Sequence, residues 1–467
     1  MSQTVLSTEP APDGFAQRVR SAVYWRWGSQ VLSQAITWTV TILVVRLLNP
    51  HDYGLFAMTQ AVLTALNFLN GYSFATSLIQ AKDVDERRIG QVFGLLIVSN
   101  ILIASTQFLV APLAAAYYGQ PLVADMLRVQ ALVYLTTPFI ALPSALLARR
   151  LDFRKQALVN LVCAMAGAGT ALGLAWWGYG VWALVWAPIA LFATRALGLT
   201  IASGQLVRPI FDFRGARDVL TFGSALTLCQ FFWIVQSQAD IVIAGRGFVP
   251  HDLGLYSESL FLVLIFTGRF LPPLNEVAFP AYAELHNAGR PIGPAFLNAV
   301  RMIMLVAMPF YIGLSLVADP LVRTFFGPKW TEMIPIVSGL AAVMPAMALQ
   351  IVCSPTTNAL GRPAIYVSTS AAGAAIMPVA FLIGAASGVE GLVHAWQIAA
   401  PLLLLVTLGL TLPAIGVSRR APLAAIAPSF GAAMVMAAAV IEAQSHMAGI
   451  APLPALAALG LLGALVY

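Results

Sequence analysis

Three ionisable residues stand in an otherwise apolar stretch of this sequence. Glu258, Arg269 and Glu276 follow one another at intervals of 11 and 7 residues, which on an ideal α-helix brings their side chains to within about 20° of one face. Pro272 and Pro273 are expected to interrupt this helix. The estimated angle is therefore applied only to Glu258 and Arg269. A guanidinium in apolar surroundings needs an anion or water. Arg269 is therefore predicted to bind an anionic group of a substrate, and an ion pair with Glu276 is the structural alternative.

Polar side chains also recur at helical spacing on three other apolar segments. Residues three and four apart lie on one face of an α-helix, and polar residues in a membrane helix mark the protein interior or a wet cavity. Such stripes on equivalent helices predict the lining of a cavity, with ordinary interhelical hydrogen bonding as the alternative. The three stripes are Gln30, Gln34, Thr37 and Thr41; Gln60, Thr64 and Asn67; and Thr227, Gln230, Gln236 and Asp240.

The cysteines and histidines indicate neither catalysis nor metal binding. Cys163, Cys229 and Cys353 lie in apolar runs without CxxC spacing, which is typical of small core residues. The 5 histidines are dispersed and lack metal-ligand spacing. The sequence also contains no phosphate-binding loop and no extramembrane segment large enough for an ATPase domain. We therefore expect no catalytic residue, no metal and no cofactor, and a protein that is not an enzyme.

The composition identifies the elements that must position these residues. Of 467 residues, 60% are hydrophobic and 9% charged, with a mean hydropathy of +0.84. Apolar runs of about 17 to 25 residues, each long enough to cross a bilayer, tile the chain. The sequence thus predicts an all-α integral membrane protein with about fourteen transmembrane helices, near 22–48, 54–79, 90–117, 122–147, 157–177, 180–203, 217–245, 253–283, 296–318, 331–357, 364–386, 388–414, 421–441 and 450–467.

The distribution of basic residues predicts the orientation. Residues 1–20 lack an apolar stretch of the kind found in cleavable signal peptides. Most of the 25 lysines and arginines, Arg195 among them, are assigned to the N-terminal segment and the even-numbered connections, which predicts that both termini are cytoplasmic. The net charge of +6 is then explained by loops beside anionic lipid headgroups. Nucleic-acid binding is not expected.

Two short motifs occur twice. PHDYGLF (50–56) returns as PHDLGLY (250–256), and PLAAAYYG (112–119) as PLVRTFFG (320–327). The repeats predict two six-helix bundles, related by a pseudo-two-fold axis along the membrane normal and enclosing a cleft. PHDxGL is also a good helix start, because Asp caps free amides and Pro fits the first turn. The predicted domains are a cytoplasmic segment at 1–21, bundles at 22–205 and 206–414, and two extra helices at 415–467.

An arginine stands four residues before each copy of the first motif. These residues, Arg46 and Arg246, fall toward the predicted periplasmic ends of their helices. Basic residues at such positions commonly anchor a helix at the membrane interface. We interpret both as interface anchors, with substrate contacts at the exit side as the alternative.

Several longer runs carry a family resemblance. QADIVIAGRGFVPHDLGLYSESLF (238–261), VAFPAYAEL (277–285), FFGPKW (325–330) and ALGRP (359–363) resemble the polysaccharide transporter family of the multidrug/oligosaccharidyl-lipid/polysaccharide exporter superfamily, which includes Wzx-type flippases. The resemblance extends over the full chain. It implies a bacterial inner-membrane flippase that moves an undecaprenyl-diphosphate-linked oligosaccharide to the periplasmic leaflet for O-antigen or exopolysaccharide biosynthesis.

The resemblance also implies where the substrate binds. Related flippases place cationic residues on the first, second and eighth helices; Arg26 and Arg269 match, but no basic residue lies between Gly54 and Gln80. Protons or Na⁺ are further expected partners besides membrane lipids, with Asp240, Glu258 and Glu276 as the coupling carboxylates. The full set of predicted substrate-binding residues is Arg26, Gln30, Gln34, Gln60, Asn67, Gln230, Asp240, Arg269 and Glu276.

Two other functions remain alternatives. A cation-coupled multidrug exporter of the same superfamily would share the twelve-helix core, but the two additional helices and the quoted motifs argue against it. A membrane glycan polymerase or ligase would be expected to carry a large periplasmic loop with catalytic residues. The odd-numbered connections are short, as in WWGYGVW (176–182), which disfavours such an enzyme.

Overall fold

A computed structural model describes residues 12–67, 86–149, 153–204, 207–212, 224–447 and 449–467 of the chain, with the backbone alone at 12–27, 149, 153, 224–230 and 363. These residues form helices and connections, and the described ranges contain no β-strand. The chain divides into two compact units. The first comprises Met1–Leu47, Leu66–Ala116 and Gln120–Phe222, and the second comprises Leu48–Ala65, Tyr117–Gly119 and Gly223–Tyr467.

The first unit is built from helices of the N-terminal half. Its helix α6 packs against α3 and α8 through two apolar clusters, one containing Phe93 and Leu142 and the other containing Ile140 and Leu199. Helix α7 packs against both α1 and α8. The helices are α1 (Pro12–Leu47), most of α3 (Glu86–Tyr118), α4 (Pro121–Gln130), α5 (Leu132–Thr136), α6 (Pro138–Arg149), α7 (Phe153–Trp176) and α8 (Trp182–Ser203).

The second unit contains the C-terminal helices and, from the N-terminal half, most of α2 (Pro50–Asn67). Helix α13 lies at its centre, because it packs against α10, α11 and α15. The remaining elements are α9 (Ser224–Gly247), α10 (Pro250–Asn287), α11 (Gly293–Leu316), α12 (Ala318–Phe325), the 3₁₀ helix η1 (Pro328–Met333), α13 (Ile334–Ala359), α14 (Pro363–Ala385), α15 (Gly388–Ala414), α16 (Ala421–Ser445) and α17 (Pro452–Val466).

Eleven helical segments of the described chain are long and apolar enough to cross a membrane. The molecule is therefore a multi-pass membrane protein, as predicted. Helix α9 is not among the eleven, and its side chains are described only from Phe231 onward. Helix α17 is apolar but shorter, and the predicted second helix continues beyond Asn67 into a part of the chain outside the described residues. The proposed bounds of the bundles stay a prediction.

The structure corrects two local expectations. Pro272 and Pro273 do not interrupt the predicted eighth helix, because α10 is continuous from Pro250 to Asn287. Membrane helices tolerate proline where neighbouring groups satisfy the freed carbonyl. Arg195 had been assigned to a connection, but it lies inside α8, one of the membrane-crossing segments.

The two PHD motifs cross each other at the starts of α2 and α10. A Cβ atom built on Gly54 would collide with the carbonyl oxygen of Pro250, and one built on Gly254 would collide with the carbonyl oxygen of Pro50. Glycine has no Cβ, so the two backbones can approach this closely. The repeated phrase therefore does more than start two helices, because each copy supplies half of a reciprocal backbone contact.

Residues in or next to the second pair of motifs make further contacts in the second unit. Trp330 of FFGPKW is fully buried, and its ring lies edge-on to Tyr53 at 5.3 Å between centroids. In the other copy, the Tyr117 hydroxyl donates to the carbonyl oxygen of Val242 at 3.3 Å, and Arg246 lies 5.3 Å from the Tyr117 ring centroid. This cation–π contact gives Arg246 a local role compatible with its interpretation as an anchor.

Candidate functional site

The predicted polar stripe of α1 is not buried as a whole. Gln30 is exposed and Gln34 is half-buried. The Thr37 hydroxyl donates to the carbonyl oxygen of Ser33 at 2.8 Å, within the same helix. Arg26 lies in the helical backbone of α1, but its side chain is outside the described residues. The stripe is therefore open to a ligand at Gln30 and Gln34, and substrate binding there stays a prediction.

The stripe of α2 becomes more exposed toward the end of the helix. Gln60 and Thr64 are half-buried, while Asn67, the last residue of α2, is exposed. In α9, Gln236 packs so closely on α14 that a Cβ on Gly373 would collide with its Oε1 atom. The side chain of Gln230 is outside the described residues. Gln60, Thr64 and Gln236 thus lie in the second unit, in settings that range from half-burial to tight packing, whereas the exposed Asn67 belongs to the first unit.

Asp240 lies at the centre of a buried hydrogen-bond network. The residue is 1% exposed, its Oδ2 accepts a hydrogen bond from the Tyr256 hydroxyl at 2.8 Å, and its Oδ1 accepts one from the backbone N–H of Ile241 at 2.8 Å. The Tyr256 hydroxyl in turn accepts a hydrogen bond from Trp396 Nε1 at 2.7 Å. The network joins α9, α10 and α15 inside the second unit.

This geometry defines what Asp240 can do chemically. No ion pair of the described residues involves Asp240, so two hydrogen bonds stabilise the carboxylate in place of a cation. The carboxylate could bind a proton, whereas a sugar hydroxyl would have to displace Tyr256 from Oδ2. The assignment of Asp240 to substrate binding is not tested by this arrangement and stays a prediction.

The Tyr256 network yields a stability prediction. In the Tyr256→Phe variant, Trp396 loses an acceptor and Asp240 loses a donor. Each buried polar group left unsatisfied costs about 1 to 3 kcal/mol. We expect a lower melting temperature for the purified variant, measured by size-exclusion chromatography after heating. Tyr179→Phe is the matched control, because Tyr179 is 57% exposed; equal melting of the two variants would show that the network contributes no stability.

Arg269 and Glu276 are both exposed on α10, and Glu258 is half-buried. Arg269 lies near the middle of the helix, about 28 Å from either end. None of the ion pairs formed by the described residues includes Arg269 or Glu276, so the structural alternative of a pair between them is absent. The guanidinium is left available to an anion.

Sequence reasoning missed three residues of these arrangements. Tyr256 and Trp396 were not recognised because an aromatic residue in an apolar run gives no sign of its hydrogen-bond partner. Arg195 was recognisable, since it falls within the predicted sixth helix, but it was counted with a connection. A basic residue well inside a predicted span is the signal that identifies it.

Comparison with known families and proteins gives concordant matches. The profile of a family described as polysaccharide biosynthesis protein matches residues 43–335. The teichuronic acid biosynthesis protein TuaB of Bacillus subtilis is 25% identical over 272 residues, which cover 58% of this chain and 56% of TuaB. The succinoglycan biosynthesis transport protein ExoT of Rhizobium meliloti is 23% identical, with 70% of this chain and 66% of ExoT covered. The matches thus span less than two thirds of these relatives.

Solved structures show the same fold. The inward closed conformation of the lipid II flippase MurJ superposes with a TM-score of 0.74 at 13% identity and covers 95% of this chain and 96% of its own. An inward-facing multidrug resistance transporter of the MATE family superposes with a TM-score of 0.63 at 13% identity, covering 83% and 94%. At such low identity the likeness concerns architecture alone.

Proposed function

Since this chain belongs to the polysaccharide biosynthesis protein family, we propose that it is a flippase for a lipid-linked oligosaccharide. The substrate is an oligosaccharide on undecaprenyl diphosphate, moved from the cytoplasmic to the periplasmic leaflet of a bacterial inner membrane by alternating access. Both termini face the cytoplasm. The glycan serves the biosynthesis of a surface polysaccharide such as O-antigen or an exopolysaccharide.

The observation that supports this proposal most strongly is the guanidinium of Arg269, which lies in the middle of α10 without an ion-pair partner among the described residues. A guanidinium in the middle of a membrane-crossing helix is costly, by about 2.5 to 3.5 kcal/mol on insertion scales, and it has no acidic partner among the described residues. A diphosphate is the complementary ligand, because its oxygens accept several charge-assisted hydrogen bonds from one guanidinium. A neutral or cationic drug would leave this charge uncompensated.

Physical chemistry is compatible with outward transport of such a substrate. Moving one elementary charge through about 100 mV changes its free energy by roughly 2.3 kcal/mol. The free energy of a diphosphate with about two negative charges therefore falls by several kcal/mol when the group reaches the positive outer side. Coupling to H⁺ or Na⁺ is part of the proposal, and Asp240 is its strongest candidate because the residue is a carboxylate buried within the second unit.

Deletion of the gene tests the proposed function. In a strain that makes a lipid-linked glycan, we expect the oligosaccharide to accumulate on the cytoplasmic leaflet and the surface polysaccharide to disappear. The wild-type gene in trans should restore both. Unchanged glycan export together with increased sensitivity to cationic drugs would instead support the multidrug exporter.

A further inference from the structure

A second intramembrane arginine lies in the first unit. Arg195 is part of α8, about 20 Å from the start of the helix and about 12 Å from its end, within the membrane-crossing segment Trp182–Ser203. Ionisable residues at such positions are rare, and they generally face the protein interior or a wet cavity. The position of Arg195 therefore requires an explanation.

The side chain points away from the exposed side of α8. Trp186 and Leu197, which are 40% and 67% exposed, lie roughly 160° to 180° around the helix from Arg195. On the side nearer to Arg195, α8 packs against α7, because Leu191 lies against Gly167 and Gly198 lies against Val159. The adjacent Ala196 packs into the apolar cluster with Ile140 of α6. Arg195 thus faces the interior of the first unit, between α6 and α7.

Within the part of the chain that the structure describes, Arg195 has no partner for its guanidinium. Its Nε atom is buried without a hydrogen bond, and none of the ion pairs includes it. The residue as a whole is half-buried, so its terminal nitrogens remain accessible. A structural arginine in a protein interior is normally paired with a carboxylate or with carbonyl groups. The guanidinium of Arg195 can therefore donate hydrogen bonds to an acceptor group from outside the protein.

Two buried hydroxyl groups of the same unit share this condition. The Tyr134 hydroxyl in α5 and the Ser33 hydroxyl in α1 are buried and lack a hydrogen-bond partner. Helix α5 packs against α8, and α1 packs against α7, which carries Cys163. Native proteins leave few such groups unsatisfied unless a ligand or water completes them.

The helix register places these groups at one depth. Thr200 of α8 donates a hydrogen bond to the carbonyl oxygen of Phe139, which lies 61 positions earlier in the sequence. Tyr134 likewise lies 61 positions before Arg195. Ser33 lies about 3.9 turns before the end of α1, and Cys163 lies about 3.6 turns before the end of α7. The unpaired donors of three helices therefore lie at a similar level of the first unit.

We propose that Arg195, Tyr134 and Ser33 form an anion-binding pocket inside the first unit, separate from the sites predicted at Arg26 and Arg269. The pocket receives a phosphate or carboxylate group of the translocated glycolipid, and this inference rests on the proposed flippase function. Arg195 supplies a planar pair of donors that matches both anions, and the two hydroxyls donate the remaining hydrogen bonds.

Binding to the purified full-length protein tests the pocket. We use undecaprenyl diphosphate in detergent as the probe and measure its Kd by native mass spectrometry. Arg195→Gln should weaken binding about tenfold or more, Arg195→Lys less, and Tyr134→Phe by about threefold. Arg323→Gln is the control, because Arg323 is 50% exposed and pairs with Asp319 at 2.8 Å. An unchanged Kd for Arg195→Gln would overturn the proposal.

Two soluble probes identify the source of the anion. Stabilisation of the wild-type protein, but not of Arg195→Gln, by inorganic pyrophosphate indicates a phosphate pocket, and the same result with glucuronate alone indicates the carboxylate of an acidic sugar. If none of the three probes binds the wild type, the pocket is refuted, while the gene deletion still decides the flippase function.

Thermal melting without ligand separates a binding role from a structural one. Removing an unpaired charge from a protein interior should leave the melting temperature unchanged or raise it. If the Arg195→Gln protein instead melts well below the wild type in the absence of any probe, Arg195 is a structural residue and the pocket is refuted.

Discussion

Alanine at Gly54 or Gly254 is expected to abolish most transport activity. The added methyl group would collide with a carbonyl oxygen of the opposite helix start, and backbone atoms cannot rotate away as a side chain would. The starts of α2 and α10 must then separate. Overpacking of this kind typically costs about 1 to 3 kcal/mol, which shifts a conformational equilibrium roughly tenfold or more.

The same helix offers a matched control. Gly268 in α10 has no neighbour within 4 Å of a built Cβ, so Gly268→Ala should be tolerated, and alanine should stabilise the helix by up to about 1 kcal/mol. The measurement is restoration of surface polysaccharide in the deletion strain, with membrane protein levels compared in parallel. Wild-type activity of Gly54→Ala and Gly254→Ala would show that the close crossing is not needed for transport.

The second large effect is expected at Arg269. The Arg269→Ala variant would lose the proposed charge-assisted hydrogen bonds to the diphosphate, each of which is expected to contribute about 1.5 to 3 kcal/mol. Transport should therefore fall by roughly 10- to 100-fold. Arg269→Lys should retain part of the activity, because a lysine supplies charge without the paired planar donors. Accumulation of lipid-linked oligosaccharide in cells, at equal levels of inserted protein, is the readout.

Glu276→Gln distinguishes a substrate contact from an ion pair at this position. If Arg269 acted through Glu276, neutralising either residue would produce the same defect. No such pair occurs among the described residues, so we expect Glu276→Gln to transport much better than Arg269→Ala. Equal defects in both variants would show that Glu276 is needed as well, either as an ion-pair partner of Arg269 or as the predicted substrate-binding residue.

Much of the helical organisation could be predicted from the sequence. Apolar run length marks a membrane span whatever its neighbours are, and proline at the first turn marks the starts of α2 and α10. The prediction that Pro272 and Pro273 break α10 was wrong because packing of neighbouring groups, which a single sequence does not show, decides whether a proline breaks a membrane helix.

The candidate sites were harder to predict because they depend on residues distant in sequence. Tyr256 is 16 positions from Asp240 and 140 positions from Trp396, and periodicity within one helix cannot reveal such a network. The repeat of PHDxGL was visible, but the reciprocal contact of Gly54 with Pro250 was not. Charge in an apolar segment was the signal that led to the prediction at Arg269, which stays a prediction.

Flipping in reconstituted vesicles tests the central claim most directly. The purified protein is placed in liposomes with a fluorescent oligosaccharide on undecaprenyl diphosphate, and a membrane-impermeant quencher reports which leaflet holds the label. We predict that wild-type vesicles expose label from the inner leaflet, while protein-free vesicles and Arg269→Ala vesicles lose only the outer-leaflet signal. Wild-type vesicles that behave like protein-free vesicles, with the protein folded and inserted, would contradict the proposal that this protein is a flippase for lipid-linked oligosaccharides.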